Sequence, residues 1–331
     1  MTNYLALDAG FGNTRLYGSK GSVVLQSLVA TNGTQAVSQW ASGDLKRAKT
    51  NPLLISSEHG DYYVGPGAHQ AGRPVENLDL DRMTGPETKA LLYGALSHYK
   101  PPASINLIIA LPIALAQGPD GDRVKDQAKS LLIGDHTWQA TLDGTRKRHR
   151  LHIDDVLVTS QPAGAMFDYL LDGRGLMSAD KAALRKSKTI GLLSLGFNTL
   201  EMMIVDEGKL LPKSVSGDTF GVRRLLELLN AEGAYSLGEI DSRLRAGKLD
   251  YSAALDRWTR DVLGQIEKHW DRTLQRRFAA VYVVGGGAYL MRDALLTKFK
   301  DRLIIPDDPI ISIARGCYKY TLLKFGAAHG A

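Results

Sequence analysis

Cysteine is nearly absent: Cys317 stands alone among 331 residues. One thiol excludes an intramolecular disulfide and a thiolate-based metal site. It falls in an apolar helical pattern, where a cysteine serves as a small buried hydrophobe. Long apolar runs are missing as well. None approaches the roughly 18–20 residues that a membrane span needs, and the N-terminus has no signal-peptide core. The expected location is the cytosol. Acid is the scarcer charge, with 35 Asp and Glu against 41 Lys and Arg, a net charge of +6. The excess gathers in TRKRHR (145–150) and KAALRKSKT (181–189), the kind of run that usually forms a solvated loop. Neither is interleaved with aromatics, as a single-strand nucleic-acid binder would be. Direct nucleic-acid binding is not the expectation.

What is present is enough chain for two domains with full cores. Apolar content of 44% and charged content of 23% are those of a soluble globular protein. The chain also repeats itself. YLALDAGFGNTRLYG near the start is echoed by TIGLLSLGFNTLEMMIVDEG, with Asp8 opposite Ser194, Gly10 opposite Gly196 and Phe11 opposite Phe197.

The first half reads as strand 4–8, a glycine turn, strand 14–18, a GSKG turn and a strand over VVLQSLVA (23–30). Residues 31–85 are polar and rich in Gly, Pro and Asn, the composition of an inserted subdomain or mobile lobe. A short strand pair lies in PLLISSEHGDYYVG. A helix follows at 86–99, stopped by Pro101 and Pro102. Next come a buried strand, SINLIIALPI, and a helix starting near Asp120. The second half repeats the opening: strand 189–195, turn, strand 200–206, a DEGK turn and a strand in LLPKSVS. Helical patterns occupy about 218–276. A strand over 279–286 leads to the helix AYLMRDALLTKF. Aspartates before Pro309 stand where an N-cap and first turn belong, opening a last helix. Duplication accounts for two hairpin units 186 residues apart (194 minus 8), and two facing halves would bring the glycine turns together across a cleft.

Four segments carry candidate chemistry. In DAGFGNTR, Gly10 and Gly12 permit positive φ and remove Cβ atoms, so backbone N–H groups can crowd an anion. Asn13 and Thr14 add donors and Arg15 a charge. Asp8, at the strand end, is placed to hold Mg²⁺ through its waters. No GK[ST] follows, so this is not a Walker loop. SLGFNTLE offers Gly196, Asn198 and Thr199 as a second clamp. In VVGGGAYL, Gly285, Gly286 and Gly287 let backbone lie against a base, ribose or phosphate at a helix start, although glycines after a strand often only relieve packing. In SQPAGAMFDYLL, Pro162 suits the first helical position and puts Gln161 at the entrance, where an amide can orient a water for in-line attack. A plain surface glutamine reads the same way.

Taken in order, these segments resemble the nucleotide site of the actin, heat-shock chaperone and sugar kinase superfamily: two phosphate motifs, an adenosine motif, and SQPAGA as the first connecting helix. ARGCYKY (314–320) looks like the second connecting helix. YYVGPGAHQAGR and ARGCYKYTLLKFG read like bacterial and archaeal actin-like proteins, including the plasmid-partitioning ParM type. The resemblance implies an α/β, actin-like fold of two ribonuclease-H-like domains with a nucleotide cleft between them. Domain I would span 1–160 plus 311–331, with an insert at about 31–85. Domain II would span 161–310, with a helical insert at about 218–276.

It further implies Mg²⁺ and ATP, with GTP as the alternative nucleotide. Nucleotide contacts would come from Gly10, Phe11, Gly12, Asn13, Thr14 and Arg15, from Ser194, Gly196, Phe197, Asn198 and Thr199, and from Gly285, Gly286, Gly287 and Ala288. Asp8 would hold magnesium through water, Arg15 would contact phosphate, and Gln161 would place the attacking water. One departure stands out: relatives usually begin the second phosphate motif with aspartate, where this chain has Ser194. Glu201, seven residues on, is the candidate partial replacement, in slow hydrolysis; a solvent-facing strand glutamate is the plain alternative.

The function implied is a filament-forming ATPase of cytoskeletal or DNA-partitioning type, assembling head to tail with itself, with a DNA-binding adaptor as candidate partner. A small-molecule kinase of the same superfamily would need a carboxylate base beside an acceptor pocket. A third class is a nucleotide-controlled scaffold without turnover. A chaperone is not expected, because no substrate-binding β-domain follows residue 331.

Overall fold

The computed structural model describes residues 3–31, 52–75, 80–211 and 215–326. The apolar runs become central strands. β1 (Tyr4–Ala9) is buried along its whole length, and β8 (Ser104–Leu111) lies parallel to it. A strand covered on both faces loses its alternation and reads as a continuous apolar run. β1 turns back antiparallel into β2 (Asn13–Gly18), and β2 into β3 (Gly21–Gln26). The remaining strands of this sheet are β4 (Val29–Thr31), β5 (Leu53–Ser57), β6 (Gly60–Val64), β7 (Arg73–Pro74), β9 (Gly134–Leu142) and β10 (Thr145–Ser160). Among the described residues the sheet runs β3-β2-β1-β8-β10-β9-β5-β6-β4-β7.

The second sheet holds β11 (Thr189–Leu195), β12 (Leu200–Asp206), β13 (Lys209–Leu210), β14 (Ser216–Asp218), β15 (Phe278–Val284) and β16 (Leu303–Ile304). Its order is β13-β12-β11-β15-β16, with β14 also on β12. Both sheets therefore start from an antiparallel meander whose first strand then takes a parallel neighbour. The hairpin registers coincide: Asp8 faces Arg15 as Ser194 faces Glu201, and Ala9 faces Thr14 as Leu195 faces Leu200. The expected duplication is thus present in topology and register.

The helices are α1 (Ala68–Ala71), α2 (Pro86–Tyr99), α3 (Ile113–Gln117), α4 (Gly121–Leu132), α5 (Gln161–Leu170), α6 (Ala179–Ser187), α7 (Val222–Leu229), α8 (Leu237–Arg245), α9 (Ser252–His269), α10 (Arg272–Arg277), α11 (Gly287–Leu290), α12 (Arg292–Phe299) and α13 (Ser312–Phe325). α13 packs on β1, β2 and β8, and α5 on β11. The two cross so closely that a Cβ on Gly316 would fall 1.9 Å from the Gly164 carbonyl. Cys317 is buried at this crossing, as its sequence context predicts, in an apolar cluster with Ala6, Met166, Leu192 and Val284 that joins the two sheets. A larger cluster on the second sheet closes around Trp258 and Trp270, both fully buried.

Several expectations are corrected. The strand expected over 23–30 ends at Gln26, because Ser27 leaves the ladder to tie the glycine turn: its N–H donates to the Gly12 carbonyl at 3.1 Å and its Oγ to the Gly10 carbonyl at 2.7 Å. The strand in LLPKSVS is two short pieces, β13 and β14, and residues 212–214 lie outside the described ones. AYLMRDALLTKF breaks at Met291 into α11 and α12. Asp308 accepts from the N–H groups of Ile310 and Ile311, but α13 starts only at Ser312, so Pro309 precedes the first turn.

TRKRHR is no loop. It begins β10, pairing with β9 from Thr145 onward, while β8 joins only at His152. Residues 145–151 therefore have an edge unpaired by any described strand, and exposed Lys and Arg guard such an edge against foreign strands. KAALRKSKT is mostly the exposed helix α6. Of the insert expected at 31–85, residues 32–51 and 76–79 lie outside the described ones. The described part joins the first sheet where Leu54 faces Thr141.

Candidate functional site: two glycine turns and a buried charge cluster

The glycines of the two turns are required for room. Gly10, Gly12 and Gly196 all have negative φ, so the positive φ that Gly10 and Gly12 permit is not used. A Cβ on Gly10 would fall 2.8 Å from Arg15 Nη1, so its absence leaves the passage through which Arg15 reaches Asp8. A Cβ on Gly12 would fall 2.6 Å from Phe197 Cβ. The first turn therefore rests directly on the second. The second turn is braced from behind by α7: Val222 N–H donates to the Gly196 carbonyl at 3.0 Å and Arg223 N–H to the Phe197 carbonyl at 2.7 Å.

Beneath the turns lies a buried polar cluster. Asp8 Oδ2 accepts from Arg15 Nη1 at 2.6 Å and Oδ1 from Gln161 Nε2 at 2.7 Å. Burial raises the Asp8 carboxyl above its ordinary range, against the opposing pull of Arg15 and Gln161. Gln161 is the first residue of α5, whose N-cap Ser160 accepts from Ala163 N–H. It is 6% exposed, so the plain surface reading fails. Glu201 is 1% exposed, which equally excludes a solvent-facing role. Its Oε1 accepts from Ile113 N–H at 2.6 Å, at the start of α3 on the first sheet's side. Its Oε2 is buried without a hydrogen-bond partner among the described residues. Burial pushes the carboxyl up to about 8, the Ile113 bond opposes this, and the charge of Asp8 adds to it.

Above the turns opens a cavity of about 260 Å³, to which Gly12, Asn13, Arg15, Gly196, Phe197 and Gly286 all contribute. These expected residues, taken from three separate motifs, meet at one place. Others serve elsewhere. Thr14 Oγ1 is tied to Ser27 Oγ at 2.9 Å, and Asn198 Oδ1 accepts from Arg223 Nη1 at 3.3 Å. Ser194 and Ala288 are buried. Thr199 holds the turn closed through its carbonyl, which accepts from Gly196 N–H. Phe11 lines a second, small cavity on the far side of Gly12 and Phe197.

Two of the three glycines after β15 are packing residues. Gly285 has φ of +92°, and a Cβ there would fall 2.3 Å from the Leu195 carbonyl. A Cβ on Gly287 would fall 2.4 Å from Leu195 Cγ. Gly286 alone has nothing within 4 Å and faces the cavity.

Sequence reasoning missed the rest of the wall: Val222, Asp241, Leu244, Arg245, Tyr251, Tyr289, Leu290 and Ile310. Arg245 donates to Asn13 Oδ1 at 3.0 Å and to the Gly12 carbonyl at 3.3 Å. No motif marks α8, and the pairing spans more than 230 positions. Tyr289 and Leu290 alone sat inside one of the four segments singled out for chemistry.

The arrangement suits a phosphorylated, ring-bearing ligand. Glycine turns present backbone, Arg15 and Arg245 bring guanidinium groups, each paired with an acid (Asp8 and Asp241), and Tyr251, Tyr289 and Leu244 supply an apolar wall. Among the described residues no three His, Cys, Asp or Glu side chains group as a metal site. A divalent cation would be shared between phosphates, water and Asp8, the usual habit of magnesium. For that, Asp8 would have to loosen its hold on Arg15 or Gln161. No described helix is long and apolar enough to cross a membrane.

Comparison with known proteins gives a partial family match and a fold. Residues 6–164 match the family of actin-like proteins, N-terminal domain. No curated protein matches in sequence. Among solved structures, ParM from a 15-stranded filament of Clostridium botulinum is 15% identical, with TM-score 0.72, covering 99% of this chain and 100% of its own. The archaeal actin homologue Ta0583, in complex with ADP, is 16% identical, with TM-score 0.69 and full coverage of both chains. The actin-like protein Alp7A is 14% identical, with TM-score 0.74, covering 98% and 97%. The chain therefore has the actin-like fold throughout, and its residues 6–164 match the N-terminal domain of actin-like proteins.

Proposed function

We propose that this protein is an actin-like nucleotide-binding protein of cytoskeletal or DNA-segregation kind, which assembles head to tail with its own copies and hydrolyses its nucleotide slowly. The observation that carries the reading is the contact of Gly12 with Phe197 beside Gly286, which makes one cavity of three motifs. The likenesses to a ParM filament and to an ADP-bound actin homologue support it. Head-to-tail contacts are heterologous and generate open filaments. The reading places the protein in the cytosol, with a DNA-binding adaptor as a further partner.

In this reading Gly12, Gly196 and Gly286 admit the polyphosphate, Arg15 balances its charge, and Tyr251 and Tyr289 flank the ring. ATP is the assigned nucleotide and GTP its competitor. Mg²⁺, held through water by Asp8, would neutralise phosphate charge and order the surrounding water. Gln161 lies beside Asp8, where a glutamine amide turned away from the carboxylate can orient a water. Glu201, whose carboxyl burial raises to about 8, is the weak substitute for the acid missing at Ser194, acting as a base only in its ionised fraction. Division of the chain at about 160 and 311 fits the starts of α5 and α13, which cross between the sheets.

Light scattering and phosphate release followed in one cuvette, with ATP and with GTP, test the proposal. Nucleotide-dependent scattering with slow release supports it; phosphorylation of a metabolite by a protein that never scatters points to the kinase and overturns it. Glu201→Ala with an unchanged single-turnover rate removes Glu201 from the mechanism. Ser194→Asp with a faster rate confirms that serine restrains it. One observation favours the scaffold without turnover: both oxygens of Asp8 are taken by Arg15 and Gln161. Scattering without any phosphate release decides for that reading.

A further inference from the structure

Arg245 ends α8 and reaches the first glycine turn. Besides its bonds to Asn13 and Gly12, its Nε pairs with Asp241 Oδ2 at 2.8 Å. The same Oδ2 accepts from Gln26 Nε2 on β3 at 2.7 Å. Gly238, earlier on α8, meets Leu28, where a Cβ would fall 2.7 Å from Leu28 Cδ2. Positions 238, 241 and 245 lie on one helical face. α8 is thus fastened along that face to the first hairpin and the residues after β3.

The fastening is lopsided in charge. Two of the three nitrogens of Arg245 donate to neutral acceptors, a backbone carbonyl and an amide oxygen. Asp241, its acid, is shared with Gln26. The Arg245 side chain is 37% exposed, on the cavity it shares with Gly12, Asn13, Gly196 and Gly286. A phosphoryl oxygen adds a full Coulombic attraction that a neutral carbonyl or amide acceptor lacks, and it takes the guanidinium fork in bidentate fashion. An anion lying against the glycine turns therefore competes for these donors at an advantage, and the advantage grows with its charge. A ligand that favours one of two arrangements shifts the equilibrium by its differential affinity for them.

We propose that Arg245 is a polyphosphate-sensing latch: in the empty protein it ties α8 to Gly12 and Asn13, and in the loaded protein it gives up those neutral acceptors for phosphoryl oxygens. Release frees the Gly12 and Asn13 ends of the fastening, while Gln26–Asp241 and Leu28–Gly238 persist as the pivot. The position of α8 then depends on how many phosphates the cleft holds. This inference rests on the nucleotide reading above.

Calorimetric titration of wild type, Arg245→Ala and Arg245→Lys with ATP, ADP and adenosine, and with the guanine series in parallel, tests the latch. Arg245→Ala is expected to lose roughly 10- to 100-fold in triphosphate affinity, the scale of a hydrogen bond to a charged group, and little for the nucleoside. Arg245→Lys keeps the charge without the fork, so it should recover only part of that loss. Hydrogen exchange of α8 amides should respond to triphosphate in wild type and not in Arg245→Ala. Equal loss for nucleoside and triphosphate, or no loss, overturns the latch and leaves the nucleotide reading standing. Wild type that binds neither series overturns both. Should Arg245→Ala fail to fold, Arg245→Lys decides: a wild-type ratio of triphosphate to nucleoside affinity overturns the latch.

Discussion

The two hairpins share register and turn, yet opposite chemistry fills their matching positions. In the first, an acid faces a base, and Asp8 and Arg15 neutralise each other at 2.6 Å. In the second, a serine faces an acid, and among the described residues Glu201 has only a backbone N–H as hydrogen-bond partner. A buried charge is tolerated when paired and otherwise changes its protonation state. Asp8 has its pair. Glu201 keeps its proton to about 8. The same fold element, used twice, has thus become an ion-paired site on one side of the cleft and a proton-holding site on the other.

The sharpest way to break this comparison is to unpair the first hairpin. Arg15→Met should destabilise the protein by about 3–5 kcal/mol in chemical denaturation, because it strands the buried Asp8. A loss under 1 kcal/mol would show that the pair is not what holds Asp8.

Next comes the titration of the second hairpin. The pKa of Glu201 in the folded chain, about 8, lies above its ordinary value of 4.5. The stability this group contributes is complete below pH 4.5 and is lost as pH rises through 8. Stability curves of wild type and Glu201→Gln should therefore diverge across that window, by on the order of a few kcal/mol. Parallel curves would place the proton elsewhere.

The turns themselves give a smaller contrast. Gly12→Ala drives a methyl into Phe197 and should cost about 1–3 kcal/mol, the range for overpacking. At Gly196 the nearest atom to a Cβ is the Thr199 carbonyl at 3.4 Å, so Gly196→Ala should stay within about 0.5 kcal/mol. Thermal melts of both variants compare them directly.

Smallest in stability is Gly286→Ala. With nothing within 4 Å it should leave the melting temperature unchanged. It should still weaken nucleotide binding, because the methyl enters the cavity. Gly285→Ala and Gly287→Ala should do the reverse and lower the melting temperature, since both press on Leu195.

Much of the fold was legible because it is written locally. Strands over 189–195 and 200–206 and the helix at 86–99 fall where periodicity and breakers put them. The repeat of Asp8–Arg15 in Ser194–Glu201 was visible as a spacing of seven. Its meaning was not, because only the register of a closed hairpin makes those residues direct neighbours. The glycines misled in a similar way. A sequence shows that a Cβ is missing, and not which atom takes its place.

The sequence alone determined the two hairpin units, their order and the lack of a second thiol, since apolar patterning, turn residues and composition act over a few residues at a time. Tertiary structure decided the rest. That Gln161 bonds to Asp8, that Glu201 reaches Ile113, and that Arg245 grips Gly12 are contacts across 88 to 233 positions. Such contacts arise when two sheets pack through α5 and α13, and what they do to a charge depends on burial, which no local run of residues sets.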